Sequence, residues 1–279
     1  MTRSHHITQL DVFTESPLQG NPLAVVHDAA GLSNARMHEF ARWMNLSETT
    51  FLLPPTEPGA DYRVRIFTPA RQLPFAGHPT LGSCHAWLAA GGVPKNAHEI
   101  VQQCGVGLVR VRRGAEHLSF AAPPLVRSGP VDAATLAQIA RALRIAPSAI
   151  RASQWVDNGP GWVAALLGSR EEVLALQPDY SAMAPLEIGV VAPCPEGFDA
   201  EFEVRAFIPG AGVNEDPVTG SLNASLAQWL IEAGIAPRRY VAAQGTALGR
   251  AGRVFIEQRG GDIWVGGGCV AVVSGTVDL

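Results

Sequence analysis

The chain contains 279 residues, of which 47% are hydrophobic and 16% are charged, and its formal net charge is −4. This length suits one large domain or two of ordinary size, and the apolar content is ample for a buried core. Because nucleic-acid binding needs concentrated positive charge, the acidic balance and the lack of a Lys/Arg cluster argue against a nucleic-acid partner.

Neither a membrane span nor a disulfide framework is expected. No stretch approaches the roughly 18 uninterrupted apolar residues that a span requires, and the N-terminus lacks an apolar core of signal-peptide length. The four cysteines, Cys84, Cys104, Cys194 and Cys269, lie far apart without C-x-x-C spacing. We therefore expect reduced thiols in a cytoplasmic protein with no membrane partner.

The periodicity of apolar residues predicts helices and many short, often consecutive strands. The helices are expected over residues 35–44, 80–90, 133–143 and 221–233. The strands are expected over residues 7–13, 23–26, 50–53, 62–67, 100–103, 107–111, 161–167, 188–192, 201–207, 240–244, 253–258, 263–265 and 270–277. No strand leads into G-x-G-x-x-G or a Walker A sequence, so the pattern favours an α+β fold without a cofactor.

The sequence repeats itself internally. Residues 62–69 match residues 202–209 at Val, Arg, Phe and Pro, and residues 78–83 match residues 216–221 at Pro, Gly and Ser. Each copy continues into an apolar helical pattern that stops at Gly and Pro. The repeat predicts two similar halves, each built from strands and a helix in the same order.

A boundary between the halves is expected within residues 123–130, where prolines, a glycine and a loss of periodicity coincide. This boundary gives an N-terminal half over residues 1–125 and a C-terminal half over residues 126–269. The final strand could return to either half, and we expect residues 270–279 to complete the N-terminal one.

Packing of the halves around a pseudo-twofold axis would bring the duplicated loops into one cleft. His78 and Asp216 would then be quasi-equivalent, and each precedes a proline of the kind favoured in a first helical turn. Helix N-termini present unpaired N–H groups, so two of them would form a seat for a small carboxylate. The alternative is that Asp216 and Ser221 only cap a helix.

Four residues of these loops are candidates for substrate binding. Gly77 and Gly220 would let the backbone approach a ligand closely. Ser83 and Ser221 would contribute hydroxyl groups within the first helical turns. Together with the helix N-termini, they predict a site for a small-molecule carboxylate.

Glu48 is the candidate proton-transfer group. It lies between a helix that ends near Asn45 and an apolar strand, and desolvation of such a carboxyl group raises its pKa in a way that suits proton shuttling. The alternative is a solvated carboxylate in a turn. Glu187 precedes a comparable strand in the second half, and we treat that match as accidental.

Metal binding and serine-hydrolase chemistry are both disfavoured. His78 and His85 are seven residues apart, which does not place them on one helix face, and no third ligand lies nearby. Ser221 lacks the G-x-S-x-G turn that exposes a nucleophilic serine. We therefore predict no metal site and no serine nucleophile.

The helical tryptophans and the strand residue Arg205 are expected to have structural rather than ligand-binding roles. We expect the helical tryptophans to lie in the core: Trp43, Trp87 and Trp229. Arg205 is expected to face solvent or a local carboxylate, and the role of Arg71 is left open.

Six motifs, in this order along the chain, resemble the PhzF family of phenazine-biosynthesis-like isomerases. They are residues 20–26, 45–51, 65–69, 73–79, 215–221 and 265–268. The resemblance implies the diaminopimelate epimerase-like fold, in which two similar halves each wrap a curved, mainly antiparallel sheet around a central helix. This architecture agrees with the internal repeat.

The resemblance also implies roles for particular residues. The family's acid/base glutamate corresponds to Glu48, its histidine to His78, its aspartate to Asp216 and its serine to Ser221, and Gly77 matches the glycine beside the histidine. In the phenazine-making members, the implied reaction is a cofactor-independent proton transfer on dihydro-hydroxyanthranilate, a small cyclic amino acid. The hypothesis is an isomerase in which Glu48 moves the proton.

Other functions stay open. Members of the wider superfamily use two opposed thiols, one in each half, but the corresponding loops here carry Gly77 and Thr219, so two-thiol racemisation is not expected. An epimerase or dehydratase of a related acid is the alternative enzyme, and a non-catalytic binder of metabolites or proteins is the alternative from another class. A homodimer is a candidate assembly.

Overall fold

The structure is a computed structural model in which two compact units divide the chain. Unit 1 comprises Met1–Ala121 and Gly266–Leu279, and unit 2 comprises Ala122–Val265. None of the helices that the structure describes is long and apolar enough to cross a membrane. The described residues are 3–114, 116–211 and 213–279.

Strands and helices follow one another in chain order. The first ten strands and three helices are β1 (Ser4–Val12), β2 (Asn21–Val26), α1 (Asn34–Met44), β3 (Glu48–Leu53), β4 (Tyr62–Phe67), β5 (Gln72–Leu73), α2 (Gly77–Ala89), β6 (Glu99–Cys104), β7 (Gly107–Arg113), β8 (Leu118–Ala121), β9 (Arg127–Pro130), α3 (Ala133–Leu143) and β10 (Ala152–Asp157). The others are β11 (Trp162–Leu166), α4 (Arg170–Ala175), β12 (Glu187–Pro193), β13 (Phe202–Phe207), β14 (Glu215–Asp216), α5 (Gly220–Glu232), β15 (Arg239–Gln244), β16 (Gly252–Arg259), β17 (Asp262–Gly267) and β18 (Cys269–Asp278).

Unit 1 places helix α2 against most of its strands. The helix contacts β1, β2, β3, β4, β6, β8 and β18. Its first eight residues are all buried, as expected for a helix that is apolar on every side. The strands pair in the order β18, β1, β2, β3, β4, β6, β7 and β8, with β5 also on β4; β2–β3 and β4–β6 are parallel and the other pairs are antiparallel.

Unit 2 repeats this arrangement. Its strands pair in the order β9, β10, β11, β12, β13, β15 and β16, with β14 also on β13; β11–β12 and β13–β15 are parallel. Helix α5 is mostly buried and contacts β10 and β16. Strands β10 to β16 therefore pair as β1 to β7 do, and the internal repeat seen in the sequence is present in the topology.

A duplicated arginine fixes the correspondence between the units. Arg65 on β4 donates to Gln72 Oε1 on β5 at 2.6 Å, and Arg205 on β13 donates to both oxygens of Glu215 on β14 at 2.9 and 2.8 Å. Each guanidinium also lies over the phenylalanine two residues later, 5.1 and 4.9 Å from the ring centroid. Gln72 and Glu215 are thus equivalent positions. Arg205 faces a local carboxylate rather than solvent.

Strand β9 and the start of α2 differ from the predicted elements. Residues 123–130 were expected to be irregular, but Arg127–Pro130 forms β9 against β10. A glycine and a proline in a four-residue strand hide the pattern that would identify it. Helix α2 begins three residues earlier than predicted, at Gly77, because Pro79 is tolerated in the first turn, where its missing N–H is not needed.

The expectation that all three helical tryptophans lie in the core is wrong for Trp43. Its side chain is 77% exposed, because α1 turns the face that carries Met37, Phe40 and Ala41 toward the core. Trp43 instead stacks on Phe40 with the ring centroids 5.9 Å apart. Trp229 is buried.

The ion pair between Arg205 and Glu215 is buried, which makes Glu215 a sensitive position. We expect Glu215→Gln to lower the free energy of unfolding by about 3–5 kcal/mol, because a buried guanidinium would lose its counter-charge. Urea denaturation measures the change. Gln72→Ala alters the equivalent but exposed position of unit 1 and should cost about 1 kcal/mol or less; similar costs for the two variants would contradict the prediction.

Candidate active site

Glu48 is the first residue of β3, where it pairs in parallel with Leu23 of β2. The Leu23 side chain lies against Gly82 of α2, since a Cβ on that glycine would come within 2.6 Å of it. Paired residues project from the same face of a sheet, so Glu48 also faces the helix. Its side chain is 14% exposed, and the alternative of a freely solvated turn carboxylate is wrong.

His78 lies in the first turn of α2 and meets Glu48 there. Its Nε2 atom is 3.4 Å from Glu48 Oε2, and its side chain is 4% exposed. On the other side of the ring, the Asn21 amide Nδ2 donates to His78 Nδ1 at 3.3 Å. An acceptor Nδ1 corresponds to the tautomer that carries its proton on Nε2, the ring nitrogen nearer the Glu48 carboxyl group.

Burial lowers the pKa of His78 to about 3. The ring is enclosed by the helix and the sheet, and loss of hydration disfavours the imidazolium. At neutral pH the cluster therefore places a neutral imidazole beside the Glu48 carboxyl group. Asn21 was not a candidate in the sequence, although it lies within the first of the six motifs.

Asp216 lies in unit 2, on the two-residue strand β14, and is held by a buried polar network. Its Oδ2 atom accepts a 2.6 Å hydrogen bond from the Thr219 hydroxyl, and its backbone oxygen accepts one from the Gln244 side chain at 3.1 Å. Gln244 in turn bonds the Thr219 N–H and Asn223. Thr219 is the N-cap residue of α5, so Asp216 does not cap that helix. No sequence pattern pointed to Gln244 or Asn223.

The predicted substrate-binding residues differ in how open they are. Ser221 is half-buried in the first turn of α5, and its Oγ accepts a hydrogen bond from Trp162 Nε1 at 3.1 Å. Ser83 is fully buried and donates to Thr50 Oγ1 at 2.9 Å, which links α2 to β3. Gly77 and Gly220 are the buried first residues of α2 and α5. Their binding roles stay predictions.

The proposed equivalence of His78 and Asp216 is wrong. The strand pairing makes Leu73 the counterpart of Asp216. Gln72 precedes Leu73 and pairs with the phenylalanine that ends β4, and Glu215 precedes Asp216 and pairs with the phenylalanine that ends β13. The central helix begins four residues after that position in both units. His78 therefore corresponds to Ser221, and the shared Pro, Gly and Ser of the two motifs lie five residues out of register.

Glu187, whose likeness to Glu48 was taken as accidental, occupies the equivalent position. Glu48 pairs with Leu23, and Glu187 pairs with Trp162. Each glutamate is the first residue of its strand, and both strand pairs are parallel. The residue after each glutamate pairs with the last phenylalanine of the next strand. Both pairings give the same correspondence, so the glutamate is duplicated.

Other chemistries gain no support from the described residues. Among them, no group of three or more His, Cys, Asp or Glu side chains could hold a metal ion. The N-cap residues of the two central helices are Ala76 and Thr219, neither of which carries a thiol. Cys84 lies inside α2, where burial raises the pKa of its thiol to about 12, so it stays protonated.

Replacing His78 should change how stability depends on pH. Unfolded His78 takes up a proton near pH 6.5 but the folded residue only near pH 3, so its contribution to stability is present above pH 6.5 and is lost as the pH falls. Between pH 6.5 and 5 the wild type should lose about 2 kcal/mol through this residue. Urea denaturation of wild type and His78→Gln at both pH values measures it; equal losses in the two proteins would refute the assignment.

Similarity to known proteins extends over nearly the whole chain. Residues 10–275 match the family PhzC-PhzF, described as phenazine biosynthesis-like protein. Antisense-enhancing sequence 1 from Schizosaccharomyces pombe is 37% identical, over 88% of this chain and 88% of its own. Trans-2,3-dihydro-3-hydroxyanthranilate isomerase from Pseudomonas chlororaphis is 34% identical, over 92% of this chain and 91% of its own.

A solved structure shows the same fold. The phenazine biosynthesis protein of the PhzF family from Enterococcus faecalis matches with a TM-score of 0.82 and 26% identity, covering 99% of this chain and 100% of that chain. The predicted fold class, α+β and diaminopimelate epimerase-like, is confirmed.

Proposed function

Because this chain belongs to the PhzC-PhzF family of phenazine biosynthesis-like proteins and is an isomerase, we propose that it moves a proton within a small cyclic amino- or hydroxy-carboxylic acid. Trans-2,3-dihydro-3-hydroxyanthranilate, the compound in the name of the Pseudomonas relative, is an acid of this kind. The proposed reaction requires no cofactor, since it consists of two proton transfers without net oxidation. The substrate is the only partner that it needs.

The contact between Glu48 and neutral His78 carries the proposal. Glu48 removes a proton from a carbon next to an unsaturated system, and the C–H electron pair shifts into that system as the double bond migrates. The carboxylic acid then returns the proton to a different carbon. A positioned carboxyl group of this kind typically contributes ~10²–10⁴-fold to the rate.

His78 orients Glu48 rather than exchanging protons itself. Its Nε2 atom lies 3.4 Å from Glu48 Oε2, and Asn21 bonds the ring from the opposite side. Because burial lowers the pKa of the ring, His78 places a neutral imidazole beside Glu48 and adds no positive charge that would weaken it as a base. The Glu48 oxygen that faces away from His78 is then the one proposed to meet the substrate.

Asp216, Ser221, Gly77 and Gly220 are proposed to bind and orient the substrate. The N–H groups in the first turns of α2 and α5 suit a carboxylate, and the two glycines there have no side chain to obstruct a ligand. Asp216 accepts a hydrogen bond from the Thr219 hydroxyl, so its carboxylate group is held in one orientation. Such orientation supplies much of the rate that proton transfer alone does not.

We expect Glu48→Gln to fold and to bind ligand but to lose turnover by roughly 10²–10⁴-fold, because glutamine is nearly isosteric and cannot accept the proton. Mass spectrometry of trans-2,3-dihydro-3-hydroxyanthranilate incubated with enzyme in deuterated water measures the transfer. Glu39→Gln, an exposed position on α1, is the control. An active, properly folded Glu48→Gln protein would rule out this mechanism, and deuterium at a stereocentre without double-bond migration would identify an epimerase.

A second variant tests whether Asp216 serves the same reaction. We expect Asp216→Asn to lower kcat/KM roughly tenfold or more, because the amide cannot replace the charge of the held carboxylate. Groups that act in one step are non-additive, so the double variant with Glu48→Gln should be about as slow as Glu48→Gln alone. Steady-state kinetics measures both effects. Fully additive losses would assign Asp216 to a separate, structural role.

A further inference from the structure

Unit 2 carries a carboxylate at the position that Glu48 holds in unit 1. Glu187 begins β12, pairs in parallel with Trp162 of β11 and is half-buried. Its equivalence to Glu48 rests on the strand register on both sides of it. The surroundings of the two glutamates differ. His78 is the neighbour of Glu48 in unit 1, and Ser221 occupies the equivalent position in unit 2.

The Glu187 side chain faces helix α5. Trp162, its pairing partner, donates its indole N–H to Ser221 in the first turn of that helix, so the sheet face that carries Trp162 is the helix face. Gly189, two residues after Glu187 and therefore on the same face, would place a Cβ within 2.4 Å of Leu222. The contacts of Trp162 and Gly189 thus place Glu187 on the sheet face that packs against the first turn of α5.

The chemistry at this place differs from that in unit 1. Ser221 Oγ already accepts the indole proton, and Asn158 donates to the Ser221 backbone oxygen at 2.9 Å, so the serine is fixed in position. A carboxylate that faces the same helix turn as a fixed hydroxyl, with serine in place of histidine, is suited to accept hydrogen bonds from a cationic group.

We propose that Glu187 is a specificity-determining residue that binds the ammonium group of an amino-acid substrate beside Ser221. The assignment rests on the proposed function, since it selects amino acids over hydroxy acids among the substrates of that reaction. A charge-assisted hydrogen bond of this kind corresponds to a preference of about tenfold.

Two probes with the same ring and the same carboxylate group test the assignment by calorimetric titration. Trans-2-aminocyclohexanecarboxylate carries the ammonium group, and cyclohexanecarboxylate lacks it. The wild type should bind the first about tenfold more tightly, and Glu187→Gln should lose that preference while its affinity for the second is unchanged. Glu171→Gln, at an exposed position on α4 of the same unit, should behave as the wild type.

Retention of the preference in Glu187→Gln would overturn the proposal, as would the lack of any preference in the wild type. Glu187→Ala, read in the same way, decides the matter if the glutamine variant does not fold. With trans-2,3-dihydro-3-hydroxyanthranilate, Glu187→Gln should raise KM about tenfold and leave kcat within about twofold. Failure of the isomerase function is distinguishable, because it would abolish deuterium exchange in the wild type without altering the difference between the probes.

Discussion

Exclusion of water from His78 is the constraint on which the candidate site depends. A hydrated imidazole beside a carboxylate would become an imidazolium as the pH fell, and its charge would stabilise the carboxylate and weaken Glu48 in its proposed role as a base. Burial keeps the ring neutral, and Asn21 keeps its proton on the side of Glu48. The buried first turn of α2 and the start of β3 therefore set the electrostatic surroundings of Glu48 as well as its place.

The two units use one framework for different purposes. In both units an arginine lies on the strand that precedes a two-residue strand, β5 or β14. Its guanidinium group donates a hydrogen bond to a side chain of the two-residue strand and lies over a phenylalanine ring. In unit 2 the pair is ionic and buried, whereas in unit 1 the partner is an exposed glutamine. The same divergence appears at the helix start, where histidine stands in one unit and serine in the other. The topology was kept while its polar positions changed.

Much of this could be predicted from the sequence. Helices α1 and α3 have strong periodicity and were placed within one residue. The motif resemblance named Glu48 and His78 as candidates, and the structure places these two side chains in contact. The correspondence between the halves could not be read from the sequence, because two-residue strands set it and such strands have no periodicity. Identical prolines and glycines then suggested a false match of His78 with Asp216. Asn21 and Gln244 were missed because an amide gives no local sign of its distant partner.

The pairing of β18 with β1 joins the two ends of the sequence in one sheet. Unit 2 is contiguous in the chain, whereas unit 1 is assembled from segments that the whole of unit 2 separates. On the ribosome, the residues of unit 2 all emerge before the last strand of unit 1 is synthesised. Synthesis of unit 1 thus begins before that of unit 2 but ends after it. This order is the reverse of the usual one, in which N-terminal regions fold ahead of those that follow.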